Sequence, residues 1–327
     1  GRPGRGPSEV RAVVGSAGLR LAGAAFGFLV GVQLARGLGA EGYGIYGVAM
    51  SINAVLAVVP EFGLTQLVTR EVASTQVQKD WPRLRGILVW SNRTAVLLSF
   101  VTVCAVTAWL VSFGAGNARL FEPLLFGLAL IPLSALGRLQ SAALRGLQQI
   151  VIGQVPDELL RPAIFSASLL VVTVGTDAIL SPSLAVGLQA LAAAATLVLA
   201  MGMLRRHMPA AARDAAPAIY AKGWWASAFP MALTEGARVL QGHLVILVLS
   251  VVATASTVGT YRVASSIFVL VLMPVSLFTV VAMPVISKLH AEQDRARLQR
   301  MLSWLAALMF LGVLGLALPF FVAGEML

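Results

Sequence analysis

Residues 86–112 read GILVWSNRTAVLLSFVTVCAVTAWLVS, and the only charged side chain in this run of 27 residues is Arg93. A helix rises about 1.5 Å per residue, so a helix of this length is about 40 Å long and exceeds the hydrocarbon core of a bilayer. A charge at the centre of a span costs about 2.5–3.5 kcal/mol on insertion scales. The stretch therefore predicts a membrane-spanning helix whose arginine is a candidate functional residue.

Eight further stretches are also predominantly apolar and are predicted to span the membrane. The nine predicted spans are 13–35, 43–68, 86–112, 118–137, 159–176, 179–204, 224–253, 257–287 and 301–323. The fifth has a short apolar run that follows Asp157, Glu158 and Arg161, so water is expected at its cytoplasmic end. The predicted fold class is an all-α polytopic membrane protein.

Composition supports this class. Hydrophobic residues make up 58% of the chain and charged residues only 12%, against about 25% charged in average soluble domains. Cys104 is the single cysteine, which excludes an intrachain disulfide and a metal cluster built on thiolates. We expect no metal and no other cofactor.

The cationic residues that give the chain its net charge of +10 are distributed unequally between the two sides of the membrane. With a cytoplasmic N-terminus, only Arg36 and Arg119 lie between spans on the far side. Eighteen cations lie on the cytoplasmic side, namely Arg2, Arg5, Arg11, Arg70, Lys79, Arg83, Arg85, Arg138, Arg145, Arg161, Arg205, Arg206, Arg213, Lys222, Lys288, Arg295, Arg297 and Arg300. This positive-inside bias accounts for the charge without a nucleic-acid partner.

The longest polar connection, 205–223, divides the spans into six and three. We therefore predict a first lobe at 1–204, a cytoplasmic linker at 205–223 and the first three helices of a second lobe at 224–327. GIYGVAMSI at 44–52 aligns with GTYRVASSI at 259–267, with six identities in nine at an offset of 215. Such an echo is expected of a parallel repeat of six-helix halves. On this reading the second lobe is truncated, and the parent has twelve or more spans.

Two motifs resemble a known family. The run LARGLGAEGYGIYGVAMSINAVLAVVPEFGLTQLVTREVAS at 34–74 resembles the opening signature of polysaccharide-biosynthesis flippases of the oligosaccharide exporter kind. VGTYRVASSIFVLVLMPVSLFTVVAMPVISKLHAEQDRARLQRML at 258–302 resembles their eighth helix and the charged segment after it, including Pro284. These flippases belong to the multidrug/oligosaccharidyl-lipid/polysaccharide exporter superfamily. The resemblance implies two six-helix lobes that rock around a central cavity and move a lipid-linked sugar across the bacterial inner membrane.

Such a cargo carries a phosphate, which guanidinium groups neutralise with a planar fork of donors. Arg20 and Arg93 lie in the cytoplasmic half of their predicted spans, Arg238 lies near mid-depth and Arg262 lies near the far side. These four are the predicted substrate contacts, arranged as a graded path. An alternative for Arg20, Arg93 and Arg262 is snorkelling to the interface.

The seventh span carries further polar candidates. Glu235 lies three residues before Arg238, so it either holds this arginine ready for a substrate phosphate or simply pairs with it. Gln241 is a candidate hydrogen-bonding group for the sugar, and His243 a candidate proton carrier or a packed polar residue.

The second span carries the remaining candidates. Pro60 is a predicted hinge because proline kinks a helix. Glu61 matches an acidic position of the family motif, and is either a group that titrates during transport or a helix-end acid at the headgroups. Asn53 and Gln33, in the second and first spans, are sugar contacts or interhelical hydrogen-bonding residues.

The leading functional hypothesis is a flippase for undecaprenyl-type lipid-linked oligosaccharide. A polysaccharide polymerase and glycosyltransferases are its candidate partners, and H⁺ and Na⁺ are its candidate coupling ions. Its localisation would be the bacterial inner membrane, in contact with membrane lipids. Multidrug export and flipping of a peptidoglycan precursor are the alternatives. A polymerase or glycosyltransferase is disfavoured by the short far-side loops, and no GxxxxGK[ST] phosphate loop is present, so we expect no enzyme. A scaffold that does not transport is disfavoured by the four arginines.

Overall fold

The computed structural model describes residues 7–113, 118–175, 180–272, 275, 286 and 295–322, without the side chains of 7–14, 113, 118, 295–296 and 319–322. Helices and short connections make up these ranges. The helices are α1 (Pro7–Leu56), α2 (Val58–Glu61), α3 (Leu64–Gln78), α4 (Trp81–Phe113), α5 (Ala118–Gly127), α6 (Leu130–Gly146), α7 (Ile150–Val155), a π-helical segment (Pro156–Leu160), α8 (Arg161–Gly175), α9 (Pro182–His207), α10 (Ala210–Asp214), α11 (Ala221–Val252), α12 (Ala255–Val271) and α13 (Arg295–Val322).

The predicted all-α membrane class is confirmed. Seven described helical stretches are long and apolar enough to cross a membrane. One of them, Gly15–Glu61, has 47 residues and covers most of the first two predicted spans, which Gly39 separates by a backbone break at φ +67°. The shorter apolar helix Ala255–Val271 is the described part of the eighth predicted span. Apart from residues 272, 275 and 286, the rest of that span, including Pro284, lies outside the described residues.

Three predicted boundaries are wrong. The second predicted span, 43–68, breaks after Glu61, because Phe62 and Gly63 adopt positive φ angles of 32° and 68°. The fourth continues past 137 to Gly146, and the fifth begins at Ile150 rather than 159. Charges that end an apolar run in the sequence are accommodated on these helices because they face a polar interior, as described below.

The helix ends that carry Arg83, Arg145, Arg205 and Lys222 form what we call the basic end of the bundle. A buried cluster at this end joins α3, α4 and α6 through Leu67, Leu84 and Leu144, and α11 adds Trp224 to it. A second cluster joins α1, α8 and α9. The first residues of α11 are therefore packed into the core of the preceding helices.

The linker at 205–223 is fastened to the start of α4. The Ala218 amide donates to the Pro82 carbonyl at 2.9 Å, and Arg85 Nη1 donates to the Ala215 carbonyl at 2.8 Å. Gly86 makes room for this contact, because a Cβ there would collide with the Ala218 carbonyl. The predicted division into lobes at this linker stays a prediction.

The two similar segments, 44–52 and 259–267, lie on helices that pack against each other. α12 packs mainly on α1, and the crossing is made by glycine: a Cβ at Gly44 would collide with the Ala255 carbonyl, and a Cβ at Gly259 with the Ala40 carbonyl. Gly44 aligns with Gly259 and Ala40 with Ala255 at the same offset of 215. The contact is thus reciprocal about a local two-fold relation, as an isologous interface would be.

Candidate functional site

A cavity of ≈ 450 Å³ lies between α3, α6, the π-helical segment and α11. Its lining contains four arginines and four acids, which are Arg138, Arg145, Arg161, Arg238, Glu61, Asp157, Glu158 and Glu235. All eight lie on stretches long and apolar enough to span a membrane. So much charge inside spans is expensive and marks this cavity as the candidate site.

Glu61 is placed by the break that follows Pro60. α2 ends at Glu61, and the chain then turns through Gly63, where a Cβ would lie 2.6 Å from the Ala228 carbonyl oxygen of α11. Glu61 is 5% exposed. Its Oε2 accepts a hydrogen bond from Arg138 Nη1 at 2.9 Å, and its buried Oε1 has no partner among the described residues. The pair links α2 to α6.

Arg238 and Glu235 form the second pair, one turn apart near the middle of α11. Arg238 Nε donates to Glu235 Oε2 at 3.0 Å. The arginine side chain is 70% exposed and the glutamate 19%. The carboxylate thus holds a guanidinium that still presents most of its surface to the cavity.

The π-helical segment supplies the opposite wall. α1 approaches it closely, since a Cβ at Gly23 would collide with the Glu158 carbonyl, and Ser16 Oγ donates to Gln154 Oε1 at 2.7 Å. Asp157, Glu158 and Arg161 line the cavity on one side and a smaller cavity of ≈ 290 Å³ beside α1 on the other. The buried Nε of Arg161 has no hydrogen-bond partner among the described residues. Arg161, at the start of α8, therefore offers an unsatisfied donor inside the bundle.

Of the predicted site residues, the cavity gathers Arg238, Glu235 and Glu61, with Pro60 beside them. Arg93 lines a different groove, and Arg20 is exposed on α1. The four arginines predicted as one path are therefore spread over separate surfaces.

The remaining predicted residues lie away from the cavity lining. Arg262 lies over the rings of Tyr43 and Tyr46, at 5.1 and 5.3 Å from their centroids. Asn53 is buried against Gly127 of α5, and its side-chain amide donates to the Ala49 carbonyl one turn earlier on α1 at 2.9 Å. His243 hydrogen-bonds Ser51 Oγ at 3.1 Å, and Gln241 is exposed.

Sequence reasoning missed Arg138, Arg145, Arg161, Asp157 and Glu158 as site residues. The arginines were assigned to cytoplasmic segments, although Arg138 and Arg145 lie on α6 and Arg161 begins α8. The available signal was the cluster of opposite charges at 157–161 directly before an apolar run, which predicted a hydrated helix end.

A sequence profile for the family described as polysaccharide biosynthesis protein matches residues 13–290. The chain belongs to this family. A search of curated proteins gave no match.

Solved structures show the fold of this family member. The inward-facing conformation of a multidrug resistance MATE family transporter of the MOP superfamily superposes with a TM-score of 0.60 at 14% identity, over 92% of this chain and 70% of that one. DinF-BH, a MATE multidrug transporter in complex with R6G, gives a TM-score of 0.60 at 11% identity, over 97% of this chain and 74% of that one. The chain is therefore a polysaccharide biosynthesis family member with the fold of MOP-superfamily transporters.

Proposed function

We propose that the chain is a flippase that moves a lipid-linked oligosaccharide of the undecaprenyl-phosphate type by alternating access, for surface polysaccharide synthesis. The family match and the transporter fold support this proposal. The basic end would face the cytoplasm of a bacterial inner membrane, as the positive-inside bias favours. Coupling to H⁺ or Na⁺, and cooperation with a polymerase and glycosyltransferases, remain predictions.

The arrangement of charge in the cavity carries the proposal. Arg138 and Arg238 each have a carboxylate partner, whereas Arg161 has a buried Nε without one. A lipid phosphate that reaches Arg161 would find this donor without a competing hydrogen-bond partner. Guanidinium–phosphate hydrogen bonds are charge-assisted and often bidentate, so Arg161 can bind the phosphate while the paired arginines balance its charge.

The paired acids give the site a way to release its cargo. When the phosphate is present, Arg238 can turn from Glu235 to the cargo, because most of its side chain is exposed. When the cargo leaves, Glu235 accepts the guanidinium again. The carboxylates thus compete with the substrate and keep binding weak enough for turnover.

The test is complementation of a flippase-null bacterium by the gene encoding this chain, native or with Arg161→Gln or Arg238→Ala. Surface polysaccharide and accumulated lipid-linked intermediate are measured together. We expect the native gene to restore export, and each variant to reduce it at least tenfold while the intermediate accumulates. The control is Arg119→Gln, which removes an exposed ion pair with Glu41 outside the cavity.

Membrane insertion and expression of each variant are checked by immunoblotting of membranes. Native export by a well-inserted Arg161→Gln or Arg238→Ala protein would contradict the proposed phosphate site. Failure of the native gene in several glycan backgrounds would contradict the cargo.

Export of organic cations is a second candidate, and one observation favours it. The cavity lining has as many acids as arginines, and Glu61 Oε1 has no partner among the described residues, so a cation also finds an acceptor. DinF-BH was solved with R6G. The test is efflux of R6G from cells that express the chain. Efflux that is lost in Glu61→Gln and kept in Arg161→Gln would favour this candidate over the flippase. Resistance of the cells to R6G without restored polysaccharide would favour it as well.

Flipping of a peptidoglycan precursor uses the same phosphate chemistry as the proposed flippase. Complementation of a strain that lacks the peptidoglycan-precursor flippase distinguishes the two.

A further inference from the structure

Another hollow, of ≈ 640 Å³, lies outside the candidate cavity at the basic end, over α6 and between α4 and α9. We call it the α4–α9 groove. Four arginines line it, namely Arg85, Arg93, Arg205 and Arg213, and none of the described residues that line it is acidic. All the charged residues in its described lining are therefore cationic, whereas the candidate cavity has equal numbers of arginines and acids.

Helical spacing builds the two sides of the groove. Arg85, Val89 and Arg93 follow each other at intervals of four residues and share one face of α4. Met201 and Arg205 have the same spacing on α9. The floor belongs to α6, where Gln140 Nε2 donates to Asn92 Oδ1 at 2.9 Å. This bond fixes α6 to α4 and holds the floor in place.

Two of the four arginines are occupied and two are not. Arg85 Nη1 donates to the Ala215 carbonyl, and Arg213 Nη2 donates to the Met208 carbonyl at 3.0 Å. Arg93 and Arg205 are exposed, and neither forms a hydrogen bond or ion pair with the described residues. An unpaired arginine within a span is expensive unless an anion accompanies it.

The surroundings of the groove are those of a bilayer surface. Beyond Arg93 the outer face of α4 continues with Leu97, 64% exposed, and the outer face of α9 beside the groove carries Val198, 68% exposed. The linker that carries Arg213 bounds the groove at the other side. The hollow thus has cations where lipid headgroups lie and apolar walls where acyl chains begin.

We propose that the α4–α9 groove binds one anionic membrane phospholipid, with its phosphate between Arg93 and Arg205. Basic pockets between spans on the cytoplasmic side suit such headgroups. The lipid is a resident lipid and not the transported cargo. Because Arg85 and Arg213 fasten the linker beside the same groove, the bound lipid stabilises the attachment of this linker to α4.

The test is native mass spectrometry of the purified chain with phosphatidylglycerol, cardiolipin or phosphatidylcholine. We expect one tightly held adduct with either anionic lipid and none with phosphatidylcholine. Arg93→Gln/Arg205→Gln should reduce its occupancy at least fivefold. The matched control, Arg206→Gln/Lys222→Gln, removes two exposed cations at the basic end that do not line the groove, and it should retain the adduct.

Three results would overturn the proposal. Equal adduct occupancy in the native chain and Arg93→Gln/Arg205→Gln would place the lipid elsewhere. Thermal stabilisation by inorganic phosphate equal to that by phosphatidylglycerol would indicate a site for a free anion. Displacement of the adduct by undecaprenyl diphosphate would assign the groove to the cargo.

If Arg93→Gln/Arg205→Gln does not fold, Met201→Trp replaces it, because the larger side chain fills the groove and leaves every charge. It should also lose the adduct, and retention in this variant would equally overturn the proposal.

Discussion

The two ion pairs of the candidate cavity differ in what they hold together. Glu235 and Arg238 belong to one helix, so their pair orients a side chain without joining elements. Glu61 and Arg138 belong to α2 and α6, and the glutamate side chain is only 6% exposed. A buried carboxylate that loses its cation keeps its desolvation penalty. The Glu61–Arg138 pair should therefore stabilise the fold in addition to any role with substrate.

Arg138→Ala should therefore lower stability by about 2 kcal/mol, because it removes a charge-assisted hydrogen bond from a buried acid. Glu61→Gln should lower it less, since an amide oxygen still accepts from Arg138. The double variant should recover part of the Arg138→Ala loss. Thermal unfolding of the purified proteins, followed by tryptophan fluorescence, measures the three changes.

The matched control is Arg119→Ala, whose ion pair with Glu41 has side chains 77% and 59% exposed. Exposed pairs contribute about 0.2–1 kcal/mol, so its effect should be small. If Arg138→Ala were no more destabilising than Arg119→Ala, the Glu61–Arg138 pair would have no structural role.

Sequence reasoning reached only part of this site. It selected Arg238 because this residue lies at mid-depth of an apolar span, Glu235 because it lies three residues before Arg238, and Glu61 because it matches an acidic position of the family motif. Arg138, Arg145 and Arg161 follow or precede apolar runs, and a hydropathy pattern treats such charges as the ends of spans. Whether a terminal charge turns inward depends on which helices meet there, and this is a tertiary property that no local pattern contains.

At the scale of elements, the α1–α12 crossing depends on small residues. Ala40 and Gly44 on α1, and Ala255 and Gly259 on α12, each form a small-xxx-small pair on the contacting faces. Within a bilayer, helices associate through close packing rather than hydrophobic burial, so the absence of Cβ atoms here determines how closely they approach.

Gly44→Ala should weaken this crossing, although alanine is the better helix former by about 1 kcal/mol in an open position. Its Cβ would collide with the Ala255 carbonyl, which belongs to backbone and cannot rotate away. We expect a lower melting temperature and reduced export. Gly27→Ala is the control on the same helix, because nothing lies within 4 Å of a Cβ there.

Gly27→Ala should leave both measurements unchanged or slightly raise the melting temperature. Gly259→Ala should reproduce the effect of Gly44→Ala, since the contact is reciprocal. Native stability and export in both crossing variants would show that α1 and α12 do not pack as described.

The elements themselves were largely predictable. In hydrocarbon each backbone polar group must be satisfied within its own helix, so an apolar run long enough to span predicts one helix. The breaks between helices were harder to predict from the sequence. Gly39 falls in a predicted loop, whereas Phe62–Gly63 falls inside a predicted span. That second break is stabilised by contact of Gly63 with α11, far away in the sequence.

At the scale of the molecule, the candidate cavity lies between two contacts that join α11 and α12 to the preceding helices. At the basic end, Trp224 is 2% exposed, packs on Trp90 at a centroid distance of 5.2 Å and donates from Nε1 to Glu71 Oε2 at 3.3 Å. At the opposite end, α12 crosses α1, and Arg262 lies over Tyr43 and Tyr46. Under the proposed alternating access, one contact must open while the other stays closed.

Weakening the two contacts separately should therefore change access to the cavity in opposite directions. A reporter cysteine, Gln66→Cys, lines the cavity, and Cys104→Ser removes the only native cysteine. In inside-out vesicles, a membrane-impermeant maleimide should label the reporter faster when Trp224→Ala loosens the basic end. It should label more slowly, by about fivefold, when Arg262→Ala loosens the opposite end, because a cation–π contact is worth about 1 kcal/mol. A change in the same direction in both variants would show that the two contacts do not act as opposed gates.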